Sequence, residues 1–375
     1  MNILSLFDGM SCGQLALQRA DIPVENYLVS EIDKYAIQVT QKNFPYTIQL
    51  GDITKIDKKQ IELLNKIGID LVIGGSPCQG FSFAGKQLNF KDPRSKLFFE
   101  FSRILKAIKP KYFLLENVRM KKENQDIISE YMGVEPIAIN SNLVSAQNRH
   151  RLYWTNIPFN IPDDKGIILA NILEDKADEK YRLSEAKVNR VLNTKRGKGF
   201  FYDKDSKKIG TVIAGYHKEP TDGSYIQEVT GGAFRGRYKI DGVRQDHKGS
   251  VAGKTQQELE VRTDGKTNAL TTVQKDNVAV IYQKPRGYNK GGVTAASIKD
   301  GKTPSMTPSS WQHNNFLVKP SLSWRKLTPI ECERLQTVPD NYTDSVSNTQ
   351  RYKMLGNGMT VDVIAHILKG IKADD

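Results

Sequence analysis

Three cysteines, Cys12, Cys78 and Cys332, are all that 375 residues contain, and no two stand in C-x-x-C spacing. That excludes a disulfide framework and gives no support to a zinc site, so no metal is expected. No apolar run approaches the roughly 18 residues of a membrane span. Residues 1–8 carry no basic stretch, so neither a signal nor a transit peptide is expected, and the sequence reads as a cytoplasmic protein without membrane contact. The three-glycine G-x-G-x-x-G fingerprint of pyrophosphate-binding loops is also missing, which counts against a nicotinamide-dependent dehydrogenase.

Positive charge, by contrast, is plentiful. The net charge is +13, from 55 Lys and Arg against 42 Asp and Glu. Residues 166–321 hold 27 basic against 17 acidic residues, a net of +10, and the remainder of the chain nets only +3. A basic segment of this kind tracks a polyanion through phosphate contacts and counterion release, which points to nucleic acid. At 38% hydrophobic residues and a mean hydropathy of -0.49, the chain suffices for one large or two modest domains.

Up to about residue 156, short apolar runs alternate with amphipathic stretches. Strands are predicted at 2–6, 26–30, 71–74, 112–116, 135–140 and 151–156, and helices at 14–20, 34–43 and 97–108. This is the pattern of a doubly wound, Rossmann-like α/β sheet. Between 166 and 321 it fades into Gly, Thr, Lys and Asp, as in a β- and loop-rich module. Helical periodicity returns after Trp324, with Val361, Ile364, Leu368 and Ile371 on one helix face. The predicted organisation is a domain over 1–165, an inserted domain over 166–321, and a return to the first domain over 322–375. The insertion repeats one grammar: Phe234-Arg235-Gly236 precedes Asp264-Gly265-Lys266-Thr267, and Pro285-Arg286-Gly287 precedes Asp300-Gly301-Lys302-Thr303. Such turns offer cations and amides to phosphates, which makes Arg235, Arg237 and Arg286 candidate nucleic-acid contacts.

The segment Gly74-Gly75-Ser76-Pro77-Cys78-Gln79 follows a buried strand and ends it with two glycines. Cys78 is thereby placed at a strand's carboxyl end, where open α/β sheets bind ligands, and as a thiolate it is the candidate nucleophile. Three successive strand ends carry the glycine loop at 7–13, Glu31, and Asp52-Ile53. Glu31 can accept from both hydroxyls of a ribose and Asp52 from an adenine amino group, with Ile53 against the ring. Without a pyrophosphate grip, this set favours S-adenosylmethionine over NAD.

In their order, these segments resemble the DNA (cytosine-5) methyltransferases of bacterial and phage restriction-modification type. Phe7-Asp8-Gly9 with Gly13 looks like the family's cofactor loop, Glu31-Ile32 its ribose and adenine contact, and Asp52-Ile53 its adenine-amino contact. Ser76-Pro77-Cys78-Gln79 looks like the catalytic loop, with residues 92–97 the segment after it. Glu116-Asn117-Val118 and Gln147-Asn148-Arg149-His150-Arg151 match two further motifs. Arg325-Lys326-Leu327-Thr328, with Glu331, Arg334, Leu335 and Gln336, resembles the support of the recognition domain, and Gly356-Asn357 with Val361 the element that closes the cofactor pocket.

The resemblance implies an S-adenosylmethionine-dependent enzyme, releasing S-adenosylhomocysteine, that methylates C5 of a cytosine in a short duplex DNA sequence. The target base is flipped out and Cys78 attacks C6. Glu116 is expected to donate at N3, its pKa raised by desolvation, with Arg149 at the cytosine O2 and Arg151 as a brace. Phe7, Asp8, Gly9, Gly13, Glu31, Ile32, Asp52, Ile53, Pro77, Leu97 and Asn357 are the implied cofactor residues, and Gln79, Ser82 and Lys86 the implied loop contacts to DNA. The enzyme is expected to be a monomer with a restriction endonuclease encoded separately.

Two departures stand out: Phe-Ala-Gly-x-Gly is here Phe7-Asp8-Gly9-Met10-Ser11-Cys12-Gly13, and Gly-Val-Pro is replaced within Leu143-Val144-Ser145-Ala146. Both variants look like the branch that includes the eukaryotic de novo enzymes. A tRNA cytosine methyltransferase of the same fold and a non-catalytic DNA-binding scaffold are the competing readings.

Overall fold

The residues Asn2–Leu6 form β1, an interior strand of a seven-stranded sheet, because Ile3, Leu4, Ser5 and Leu6 are all buried and so present a continuous run to both faces. The structure is a computed structural model, and it describes residues 1–77, 97–192, 201–202, 206–221, 223–228, 231–240, 243–244, 255–261, 277–279 and 323–371.

After β1 the chain runs through α1 (Cys12–Arg19), β2 (Asn26–Ser30), α2 (Lys34–Asn43), β3 (Ile48–Gln49), α3 (Lys58–Ile67), β4 (Leu71–Gly74), α4 (Leu97–Ile108), β5 (Tyr112–Val118), α5 (Lys122–Met132), β6 (Ile137–Asn140) and β7 (His150–Thr155). The sheet order is β3-β2-β1-β4-β5-β7-β6. Strands β1 to β5 pair in parallel, whereas β7 runs antiparallel to both β5 and β6. The α/β class with a parallel-rich central sheet is as expected from the sequence. The predicted strand at 112–116 extends to Val118, the one at 135–140 begins at Ile137, and the helix at 14–20 begins at Cys12.

Strand order reverses between β1 and β4, since β1 leads outward to β2 while β4 leads to β5 on the other side. A crevice at the carboxyl edge follows from that reversal. Gly74 allows the close approach there: a Cβ on it would lie 2.3 Å from Leu6 O. Phe98, Phe101 and Ile104 of α4 bury one helix face against Leu4, Leu6, Val72, Leu115 and Trp154, which fixes the sheet under the crevice.

The chain continues through α6 (Glu185–Leu192), β8 (Phe201–Tyr202), β9 (Tyr225–Glu228), β10 (Gly231–Ile240), β11 (Val243–Arg244), β12 (Thr255–Val261), β13 (Asn277–Ala279) and β14 (Ser323–Lys326). Helices α7 (Pro329–Leu335), α8 (Asn348–Asn357) and α9 (Val361–Leu368) close it, leaving Ile371 beyond the last helix. Thr328 and Glu331 form a reciprocal capping box on α7, with Pro329 at its first position.

The chain packs as two compact units. One comprises Met1–Ala177, Ala186–Tyr225 and Lys326–Asp375, and the other Asp178–Glu185 with Ile226–Arg325. In the first, α9 lies on α1, tied by an ion pair between Arg19 and Asp362 that Lys165 joins at 2.8 Å. In the second, β10 pairs antiparallel with β11, β12 and β13, and Leu183 N donates to Trp324 O at 2.7 Å. Among the described residues, no helix is long and apolar enough to cross a membrane.

Candidate active site

The crevice edge collects side chains from five successive strands. The loop after β1 is wound tightly, with Phe7, Gly9 and Ser11 all in the left-handed region at φ of 59°, 61° and 60°. Such a conformation is strained for Phe7 and Ser11 and must be held from outside. Asp8 holds it from within: its carboxylate accepts from Ser11 Oγ and, at 3.1 Å, from Tyr27 Oη. Burial pushes the Asp8 carboxyl up to about 6, against the opposing effect of these hydroxyl donors. Tyr342 Oη donates to Met10 O at 2.7 Å and braces the same loop from the C-terminal segment.

Glu31, at the end of β2, accepts from three backbone amides: Gly9 N at 2.8 Å on Oε2, and Ile32 N at 2.7 Å and Asp33 N at 2.8 Å on Oε1. Its two oxygens are therefore fixed in direction: Oε1 is filled by two amides, and Oε2, with one, keeps an open acceptor site. Asp52, after β3, uses only Oδ1 locally, accepting from Thr54 N at 2.9 Å and Thr54 Oγ1 at 2.8 Å. The Thr54 amide and hydroxyl hold the Asp52 carboxyl below its usual value, so Oδ2 is left as a charged acceptor. Phe7, Leu50 and Leu97 are half-buried apolar groups packed against the core.

Not every residue of the sequence reading reaches this surface. Gly13 lies buried within α1, where a Cβ would sit 2.5 Å from Tyr27 Oη, so its role is helix-sheet packing. Ile53, at 4% exposure, is a core residue, whereas Ile32 is 75% exposed. Asn357 is exposed at the end of α8.

On the other side of the crevice, Glu116 lies in β5 opposite Tyr153 of β7, with Arg151 two residues before Tyr153. Arg151 Nε is 2.9 Å from Glu116 Oε1, an ion pair whose side chains are 14% and 10% exposed. Among the described residues, Oε1 nonetheless accepts no well-directed hydrogen bond. Gly75 opens room for this carboxylate: a Cβ there would lie 3.2 Å from Glu116 Oε2. Asn117 turns the other way, and its Nδ2 donates to Ser76 Oγ at 3.0 Å and to Ser76 O at 3.4 Å. The residue beside the acid thus anchors the stretch that leads into Pro77.

Arg149, just ahead of β7, is 2% exposed and donates to the carbonyls of Val212, Gly356 and Gly358. The sequence reading placed it at the substrate, but the structure commits it to main chain, while Arg151 is the arginine beside Glu116. Gln147 is likewise buried, donating to Leu335 O at 2.7 Å. Cys78, Gln79, Ser82, Lys86 and Arg286 lie outside the described residues. Arg235 and Arg237 lie in β10, in register with Glu258 and Gln256 of β12.

Sequence reasoning missed Tyr342 and Tyr27 as supports of the β1 loop. Tyr342 stands 332 residues from its acceptor, and no local pattern signals such a bond.

A family described as C-5 cytosine-specific DNA methylase matches this chain over residues 1–373. The chain is similar to an orphan methyltransferase of Bacillus phage SPR, 27% identical over 98% of this chain and 97% of the phage protein. It is also similar to a type II methyltransferase of Lactococcus lactis subsp. cremoris, 35% identical over 96% of this chain and 75% of that protein. Among solved structures, a methyltransferase of Entamoeba histolytica shares the fold with a TM-score of 0.64, at 18% identity, covering 99% of this chain and 97% of that one.

Proposed function

Because the chain belongs to the C-5 cytosine-specific DNA methylase family and is a DNA cytosine-5 methyltransferase, we propose that it methylates one cytosine within a short duplex DNA sequence, by base flipping and covalent attack of Cys78 on C6. The observation that carries the reading is Glu116: a buried carboxylate paired with Arg151 at 2.9 Å, whose Oε1 accepts no well-directed hydrogen bond among the described residues. An acceptor left open in a protein interior is costly unless a ligand group meets it.

The residues of the crevice suit S-adenosylmethionine. Glu31 would take the ribose hydroxyls, Asp52 Oδ2 the adenine amino group, and Phe7 and Leu97 the faces of the ring, with Asp8, Gly9, Pro77 and Asn357 around it. The fit rests on the open Oδ2 of Asp52, the fixed oxygens of Glu31 and the half-buried apolar pair. When bound, this cofactor supplies an electrophilic methyl group for C5.

The protein's own part is to make C5 nucleophilic. The Cys78 thiolate forms a bond from Sγ to C6, and the displaced ring electrons become available at C5 while negative charge spreads to N3 and O2. Glu116 donates a proton at N3 and Arg151 a hydrogen bond at O2, so the charge developing on the ring is answered at both atoms, and the proton returns to Glu116 when the bond to Sγ breaks. We assign the O2 contact to Arg151 rather than Arg149, on the ground that Arg149 donates to main-chain carbonyls whereas Arg151 pairs with Glu116. Once C5 carries both methyl and hydrogen, a base removes that proton, the electron pair re-forms the C5–C6 double bond, and the bond from C6 to Sγ breaks. None of this reaches a stacked base, so the target must leave the duplex. We assign target recognition to residues 166–321, inserted between 1–165 and 322–375, on their excess positive charge, with Arg235, Arg237 and Arg286 as candidate contacts. Protection of DNA from a restriction endonuclease is the proposed biological role, in line with the type II methyltransferases it resembles.

The test is conversion-based methylation sequencing of plasmid DNA from a methylation-free host expressing this chain, beside a Cys78→Ala control. The expected result is methylcytosine confined to one short motif and absent from the control. Methylcytosine in cellular RNA alone, or its persistence in the control, would overturn the reading.

A further inference from the structure

Arg149 belongs by sequence to the wall that faces the target base, yet its guanidinium spans a turn of the C-terminal segment. Nη1 donates to Val212 O at 3.3 Å and Gly356 O at 3.2 Å, and Nη2 to Gly356 O at 3.2 Å and Gly358 O at 2.8 Å. The two glycine carbonyls flank Asn357. Gln336 Nε2 completes the cradle, donating to Leu355 O at 2.5 Å and Gly358 O at 3.3 Å.

The turn is also confined from the opposite sides. A Cβ on Gly356 would fall 2.2 Å from Ala214 N, and one on Gly358 would lie 2.9 Å from Met10 Cε and 3.1 Å from Met354 O. Met10 belongs to the loop after β1, so the turn is wedged between that loop and the buried guanidinium. A planar five-donor fork suits this bracket of carbonyls in a way an ammonium group does not.

From this we infer that Arg149 is a positioning residue for the cofactor, acting through the 356–358 turn to set Asn357, and makes no contact with the target base. The inference rests on the proposed use of Asn357 at the cofactor. It also gives the Gln147–Arg151 segment two separate tasks: Arg151 serves the base, and Arg149 serves the cofactor from behind.

The experiment compares full-length wild type, Arg149→Lys, Asn357→Ala, the double variant and Gly358→Ala. Affinity for S-adenosylhomocysteine is measured by calorimetry, and affinity for duplex DNA without cofactor is measured separately. Arg149→Lys is expected to weaken S-adenosylhomocysteine about tenfold with duplex affinity unchanged. The double variant should be no weaker than Asn357→Ala alone, because both act through one residue. Gly358→Ala, which presses the turn from the other side, should reproduce the same split and guards against a mere folding defect in Arg149→Lys. If Asn357→Ala weakens the cofactor but Arg149→Lys does not, or if the two losses add, this inference is overturned and the cofactor reading stands. An Asn357→Ala variant with undiminished affinity would overturn the role of Asn357 itself, and this inference with it.

Discussion

Arg151 Nε lies 2.9 Å from Glu116 Oε1, and that oxygen accepts no well-directed hydrogen bond from any described residue. The arginine supplies charge without using up the acceptor. Glu116→Gln keeps the shape and removes the charge, so single-turnover methyl transfer should fall by about 10²- to 10⁴-fold. Affinity for S-adenosylhomocysteine should be unchanged; a fall in both would place Glu116 in the cofactor site.

Gly75 gives the same carboxylate its room. In Gly75→Ala the added carbon would stand 3.2 Å from Glu116 Oε2 and 3.6 Å from Met359 Cε, so the acid must move by a few tenths of an ångström. Catalysis depends on placement at that scale, and the rate should drop by on the order of tenfold or more with little change in thermal midpoint. A full-rate Gly75→Ala enzyme would show that Glu116 is not held to one position.

Asn117 links the acid's strand to Ser76 through its side-chain amide. Asn117→Ala should cost about 1–2 kcal/mol in denaturant unfolding. The rate should fall further than the stability, because Ser76 leads into Pro77 and Cys78. Equal losses in Asn117→Ala and in a destabilised variant remote from the crevice would reduce Asn117 to a packing residue.

Asp52→Asn exchanges the open charged acceptor for an amide whose donor end faces the adenine amino group whenever Oδ1 keeps its Thr54 bonds. S-adenosylhomocysteine should bind about ten- to a hundredfold more weakly. Calorimetry decides it, and unchanged affinity would remove Asp52 from the cofactor site.

Asp8 gives a pH signature. Its folded carboxyl, raised by burial to about 6 from an ordinary 3.8, binds more protons folded than unfolded between those values. Stability from this group is therefore greatest below about pH 4, declines as pH rises to about 6, and is flat above, over a range of at most about 3 kcal/mol. Asp8→Asn should abolish that decline. Urea midpoints of both proteins from pH 4 to 8 should converge at the acid end; parallel curves would contradict the buried, protonatable state.

The strands at 2–6, 26–30 and 71–74 and the helices at 34–43 and 97–108 are legible in the sequence because each is a continuous apolar run or a clean amphipathic period. Two-residue β3 carries too little pattern to be read. Helix α3 is absent from the sequence reading, although Asp57 and Gln60 form a capping box and Gly68 ends it at φ 75°. Its core face, Leu64 with the half-buried Ile61 and Ile67, does carry a helical period, so this helix is legible although the sequence reading does not include it.

In the candidate site, the neighbourhood of Glu116 and Arg151 could be read from two motifs that the β5–β7 pairing brings together. The destination of Arg149 could not. Strand alternation suggests a shared face with Arg151, whereas its actual acceptors are carbonyls up to 209 residues away in sequence. Likewise, nothing near Asp8 signals that burial will outweigh the hydroxyl donors Ser11 and Tyr27 at its carboxyl, since that follows from the packing around it.

Helices α7 to α9 stand far along the chain from the loop that follows β1, yet α9 rests on α1, and Tyr342 steadies that loop from 332 residues away. At roughly 5–20 residues per second during translation, tens of seconds separate the synthesis of the loop from that of its brace. A nascent chain therefore carries the strained loop unbraced over that interval. A product cut short before Tyr342 would keep the strands of the sheet and lack the contact that steadies the loop.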